Sequence, residues 1–163
     1  MNRASLHRSP NRFQRGVYAI EFAFVFLIFF AVLYGIISYG VLLTFRMGLQ
    51  NAAEDGARAA LRYKPTSPER ASVAVQVATQ RSLWMPAAVK PLDVTAQCSV
   101  AGGVAGPCST DTCASNAPWA QRCRIIVTVK AQGMGLVLPP MFSVVLPSQI
   151  AGQASMLLDG GNS

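Results

Sequence analysis

FAFVFLIFFAVLYGIISYGVLLTF, residues 22–45, is an uninterrupted run of 24 residues without a charge. At about 1.5 Å per residue a helix of that length reaches roughly 36 Å, enough to cross a hydrocarbon core of about 30 Å with some tilt. Buried helices of water-soluble domains seldom run so far without an ionisable side chain, so the run is read as a transmembrane helix. It also explains the composition. Charged residues are only 13% of the 163-residue chain and mean hydropathy is +0.34, with the excess concentrated in this one block. What remains is enough for one modest domain.

The flanks orient the helix. Residues 1–16, MNRASLHRSPNRFQRG, carry Arg3, Arg8, Arg12 and Arg15, which are 4 of the 14 basic residues, and none of the 7 acidic ones. They are polar and broken by Pro10, as in a segment without a core of its own. After the span, Arg46 is soon followed by Glu54 and Asp55 as well as Arg58. The Lys/Arg bias places the N-terminus in the cytoplasm and the C-terminus outside. The formal charge of +7 therefore does not describe a nucleic-acid surface. Its basic residues form no dense footprint beyond the leader, and counterion release needs one.

The helix is expected to continue past the membrane. Residues 46–63, RMGLQNAAEDGARAALRY, contain no proline and are rich in alanine. Gly48, Ala52, Gly56 and Ala60 recur every fourth residue and share one helical face, where small side chains let another backbone approach. The plainer alternative is an alanine-rich helix with no packing face. Glu54 and Arg58 form a favourable i,i+4 pair. Tyr63-Lys64-Pro65 ends this helix, because a residue before proline is pushed out of the α region. Ser67-Pro68-Glu69 then reads as an N-cap, a proline at N1 and an acidic first turn. The second helix runs to about Trp84, with Val73, Val77 and Leu83 or Trp84 as its buried stripe.

From Pro86 the texture becomes β. Residues 93–100 read as one strand, and residues 124–132, RIIVTVKAQ, as the clearest, with Ile125, Val127, Val129 and Ala131 alternating against Ile126, Thr128 and Lys130. Residues 148–158 read as the last strand. Gly102-Gly103, Gly106-Pro107 and Asn116-Ala117-Pro118 break the chain between the first two. Residues 133–147 form an apolar connection, and residues 159–163 a loose tail.

Cys98, Cys108, Cys113 and Cys123 are the only cysteines, and all lie on the outer side. Four cysteines close together in an exported domain with a small core suggest two disulfides. Three pairings are open. Cys98–Cys123 with Cys108–Cys113 nested inside is preferred, because Cys98 ends one strand and Cys123 begins the next; Cys98–Cys108 with Cys113–Cys123 is the nearest competitor. The intervals do not suit a zinc site, and no redox C-x-x-C is present.

One carboxylate stands where the apolar run begins. A carboxylate in lipid is costly and points to function, unless it sits at the interface. Around it, residues 15–22 read RGVYAIEF. This stretch resembles the processing site of type IV prepilins and pseudopilins, in which a membrane peptidase cuts after a glycine and a glutamate occupies the fifth position of the mature chain. The resemblance implies cleavage between Gly16 and Val17, with Glu21 fifth. The chemistry of that spacing is simple: the new α-ammonium of Val17 lies one helical turn from Glu21, and pairing offsets the cost of a bare charge in low dielectric. The helix dipole also favours an anion in this first turn. The pairing can be within one chain or between neighbouring subunits.

A longer pattern narrows the resemblance. Gly16, Ile20-Glu21-Phe22-Ala23, Gly35-Ile36 with Gly40, and Ala52-Ala53-Glu54-Asp55-Gly56-Ala57-Arg58 appear in order. Together they are similar to the TadE/TadG-like family of tight-adherence (Flp) pilus assembly, over about residues 15–60. Two positions depart from it: no proline follows Glu21 closely, and Glu54 stands where an arginine is usual. They leave the choice among TadE, TadF and other minor-pilin types open. The resemblance implies a minor pilin or pseudopilin in the bacterial inner membrane, single-pass, with prepilin peptidase, other pilin subunits, an assembly platform and membrane lipid as partners. Gly35 and Gly40 would join Gly48, Ala52, Gly56 and Ala60 in helix packing.

Catalysis has little material. His7 is the only histidine and lies in the leader, which removes the commonest general base and His-supported nucleophiles. Gly102-Gly103 and Gly106 lack the Lys-Ser/Thr and helix of a phosphate loop. No enzyme, cofactor, metal, nucleic acid or small-molecule substrate is expected. The expected fold is α+β: a leader (1–16), a single N-terminal transmembrane helix (17–45) extended into a pilin-like helix (46–63), and an extracytoplasmic domain (64–163) with a second helix and a small antiparallel sheet with a disulfide-bonded loop. The alternative function is an unprocessed single-span anchor whose outer domain binds a partner.

Overall fold

The computed structural model describes residues 14–62, 66–89, 92–100, 103–109, 122–133 and 149–158. Arg3, Arg8 and Arg12 of the leader, the Tyr63-Lys64-Pro65 stop, Cys113, the connection over 134–147 and the tail fall outside these residues. The chain divides into two compact units, residues 1–40 and 41–163.

One helix, α1 (Gln14–Ala59), supplies the described part of the first unit and begins the second. No proline lies between Pro10 and Pro65, so nothing interrupts its backbone ladder. In the first unit, residues 16–33 are exposed on every side. Phe22, Phe26 and Phe30 stack one turn apart, with successive ring centroids 6.0 Å apart. A helix apolar all round and left uncovered by the other described residues has the surface of a membrane span. It is the one helix among the described residues long and apolar enough to cross a membrane.

In the second unit α1 becomes amphipathic. Phe45, Leu49, Ala52, Ala53, Ala57 and Ala60 are buried, a spacing that follows the 3.6-residue period. The last turn tightens, with the Leu61 amide donating to Arg58 O and that of Arg62 to Ala59 O, the usual way to satisfy terminal carbonyls.

Helix α2 (Ser67–Arg81) follows. Its N-cap is Thr66, one residue before the expected Ser67: the Thr66 hydroxyl accepts from the Glu69 amide at 3.4 Å. Thr66-Ser67-Pro68-Glu69 has the capping-box spacing, so the hydroxyl that starts the helix belongs to the residue three before the glutamate. The helix stops at Arg81 rather than near Trp84, and its buried residues are Ser67, Ala74 and Ala78. Val73 and Val77 are half-buried, while Leu83 and Trp84 are exposed. Bulk was the wrong guide here. The inner face of α2 sits too close to α1 for branched side chains: a Cβ added at Gly56 would lie 2.8 Å from Ala74 O and 2.9 Å from Ala78 Cβ.

A short 3-10 turn, Ala87–Val89, leads into the sheet. Strands β1 (Leu92–Val100), β2 (Gly106–Pro107), β3 (Cys123–Gln132) and β4 (Gln149–Leu157) lie in the order β2-β1-β3-β4, with every pairing antiparallel. The two-residue β2 occupies a stretch expected only to break the chain. On β3 the alternation holds residue by residue: Ile125, Val127, Val129 and Ala131 are fully buried, with Ile126, Thr128 and Lys130 half-buried between them. Leu49, Ala53, Ala57, Ala74 and Ala78 meet this inner face in a single core.

Helix α1 crosses β4 at Gly152. A Cβ there would collide with the Leu49–Gln50 peptide, so backbone rests on backbone. Beside that crossing the Gln50 amide holds the strand from both ends of its side chain. Its Nε2 donates to Gln153 O at 3.0 Å, and its Oε1 accepts from the Gln153 amide at 3.1 Å.

Candidate functional site

Three groups of residues carry the functional expectations. Gly16, Val17 and Glu21 lie in the first turns of α1, which begins at Gln14. All three are exposed, and nothing lies within 4 Å of a Cβ built on Gly16. Helical spacing sets Val17 and Glu21 one turn apart on the same face, about 6 Å along the axis. A protease that needs the Gly16–Val17 bond would meet no tertiary contact from the described residues there. An amine formed at Val17 would have the Glu21 carboxylate on its own side of the helix.

The small residues separate into two sets. Gly35 and Gly40, in the first unit, have nothing within 4 Å of an added Cβ. Gly48, Ala52, Gly56 and Ala60, in the second unit, face the chain's own elements. A Cβ at Gly48 would collide with the Trp84 ring, and one at Gly56 with α2 and with Val127 Cγ1 at 3.3 Å. Ala52 and Ala60 are buried in the same core. The backbone approach that this spacing allows is thus made, in the second unit, by α2.

The described cysteines are oxidised. Cys98 is bonded to Cys108, and Cys123 is also disulfide-bonded. The preferred Cys98–Cys123 pairing is corrected, and the sheet register gives the reason. Cys98 lies opposite Ile125, and Cys123 opposite Val100. Cys98 and Cys123 are therefore diagonal neighbours, about 7–8 Å apart in such a ladder and beyond comfortable disulfide reach. On the other edge of β1, Cys98 faces Gly106, and Cys108 also stands two residues along, but past the end of β2 and so not held to the ladder spacing; the bonded Cα atoms are 4.9 Å apart. The short strand β2, unread in the sequence, brings the partner into reach. With Cys98 and Cys108 joined, neither offers a thiolate, and no group of His, Cys, Asp or Glu suited to a metal ion occurs among the described residues.

A further cluster lies where the uncharged run ends, within the second unit. Phe45, its last residue, stacks on Trp84 with centroids 5.7 Å apart and planes inclined by 12°. Next to it an open groove of about 470 Å³ is lined by Met47, Asn51, Asp55, Arg81 and Trp84 among others. Arg81 Nε reaches Asp55 Oδ2 at 3.0 Å and ties the end of α2 to α1, while Glu54 and Arg58 lie 3.9 Å apart along α1. The expected i,i+4 pair was readable from sequence. The Asp55–Arg81 and Phe45–Trp84 contacts were not, because each joins residues distant in the chain.

These features define a membrane-located protein whose apolar N-terminal helix runs on into the core of a small α+β domain. The family model described as TadE-like protein matches residues 16–58, from the glycine before Val17 to the arginine closing the Ala-rich helix. Over that segment the chain is similar to TadE-like proteins. Residues 1–15 and 59–163 lie outside the match. No curated protein and no solved structure matches the chain.

Proposed function

We propose that this protein is a minor pilin or pseudopilin of a tight-adherence pilus or secretion system. It enters the bacterial inner membrane as a precursor, with its basic leader held in the cytoplasm. Prepilin peptidase cuts after Gly16, and the apolar helix stays as the N-terminal anchor of the mature subunit. The Val17 ammonium then pairs with Glu21, of its own chain or of a neighbour. Between chains, that pairing sets the axial register in which helices pack with other pilin subunits at the assembly platform. The α+β domain lies on the periplasmic side, where an oxidising environment maintains its disulfides. The role is structural rather than catalytic.

The observation that carries this reading is the TadE-like match beginning at Gly16, with Glu21 one turn past Val17 on an exposed helix, immediately before its uncharged run. N-terminal sequencing of the membrane-extracted protein tests it. A chain starting at Val17 is expected in the native protein, and Gly16→Leu should retain the leader. A native chain starting at Met1 would instead identify an unprocessed single-span anchor.

A further inference from the structure

We propose that the turn carrying Leu83 and Trp84 is a second membrane contact, which seats the α+β domain in the headgroup region of the bilayer beside the point where α1 leaves it. The inference rests on the reading of residues 22–45 as a transmembrane span.

The turn is built to present two apolar side chains. On one side Ser82 is buried, its amide and its hydroxyl both donating to Ala78 O. On the other side Met85 is buried, its amide donating to Ser82 O. Between these fixed points Leu83 is 62% exposed and Trp84 51% exposed.

The height of the turn is set by its contacts. Trp84 stacks on Phe45 and covers Gly48, where any side chain would collide with its ring. Phe45 is the last residue of the uncharged run and Arg46 the first charge after it. A run of 24 residues is only a few ångströms longer than a hydrocarbon core needs, so its end falls at the polar boundary of the bilayer. Tryptophan is enriched at that level, where its ring is apolar and its N–H still finds polar partners. Arg46 is exposed at the same level and can extend to lipid phosphate. Met47, 66% exposed, adds apolar surface next to Trp84 in the groove wall. Continuity with the span selects lipid over a protein partner: the patch begins where the helix is already leaving the bilayer.

The test uses the full chain in phosphatidylcholine vesicles, with Trp119, the other tryptophan, replaced by Phe. Vesicles containing lipid brominated high on the acyl chains should quench Trp84 emission strongly, and aqueous iodide should quench it weakly. Should Trp119→Phe not fold, the difference in emission between the native chain and Trp84→Phe gives the same reading, since Phe preserves a stack on Phe45. Protein that floats with the vesicles and resists alkaline extraction, yet shows iodide quenching and no bromolipid quenching, overturns the membrane contact alone. Shielding from both quenchers would mean that a second protein copy covers the turn, which also overturns it. Failure to float overturns the transmembrane reading and this proposal together.

Discussion

Gln50 holds an edge strand by its backbone. No strand flanks β4 on its outer side among the described residues, and an open edge invites pairing with another chain. The Gln50 side chain takes up both the N–H and the C=O of Gln153. Gln50→Ala should cost about 1–2 kcal/mol, two hydrogen bonds at the low end of their range because water replaces them in part. Amide exchange at Gln153 should accelerate, and unchanged exchange would show that the clamp is idle. Gly152 is a sterner constraint. Its missing Cβ leaves room for the Leu49–Gln50 peptide, and a backbone cannot rotate aside as a side chain can. Gly152→Ala should destabilise by about 1–3 kcal/mol or more, whereas Gly106→Ala, with open space around it, should fall within about 0.5 kcal/mol of the native chain. Chemical denaturation of the two variants in detergent separates them; equal midpoints would refute the close crossing.

At the scale of elements, α1 serves two solvents. From Phe22 its first stretch is uncharged, and its last stretch carries a stripe of alanines, so one continuous helix passes from a membrane-type surface to a packed core. The proposed charge pair belongs to the first stretch. Glu21→Ala should leave the protein in the membrane fraction, because it removes a charge from an apolar span. It should reduce assembly into fibres, scored by sheared-pilus yield or by complementation. Normal assembly of that variant would remove Glu21 from the mechanism. In the second stretch, α2 answers alanine with alanine: Ala74 and Ala78 face Gly56, and close approach replaces bulk as the source of contact. The small-residue spacing on α1 was readable. Its partner was not, because Ala74 and Ala78 look like filler until α1 is set against them. Val73 and Val77, the natural candidates for a buried stripe, lie to the side for the same reason.

For the molecule as a whole, the Cys98–Cys108 bond ties the two-residue strand β2 to the edge of the sheet. Closing a loop of this length removes roughly 3 kcal/mol of unfolded-chain entropy in the simplest treatment. Reduction, or Cys98→Ser with Cys108→Ser, should lower stability by about that amount, read from thermal or denaturant unfolding with and without reductant. A domain this small has few other reserves. Thiol titration of the denatured, unreduced protein should find no free cysteine; four free thiols would refute the bridges.

The sequence alone determined the apolar helix, the alternation of β3 and the order of the two helices and the three long strands, because each is written in a local period of 3.6 or 2 residues. The processing expectation at Gly16, Val17 and Glu21 was equally local, since it depends on one helical turn. Tertiary structure decided what no period encodes: which cysteine Cys98 meets, which helix fills the space left by Gly56, and that Trp84 lies on Phe45. Those outcomes follow from strand register and from the distance between backbones, which exist only once remote segments have packed.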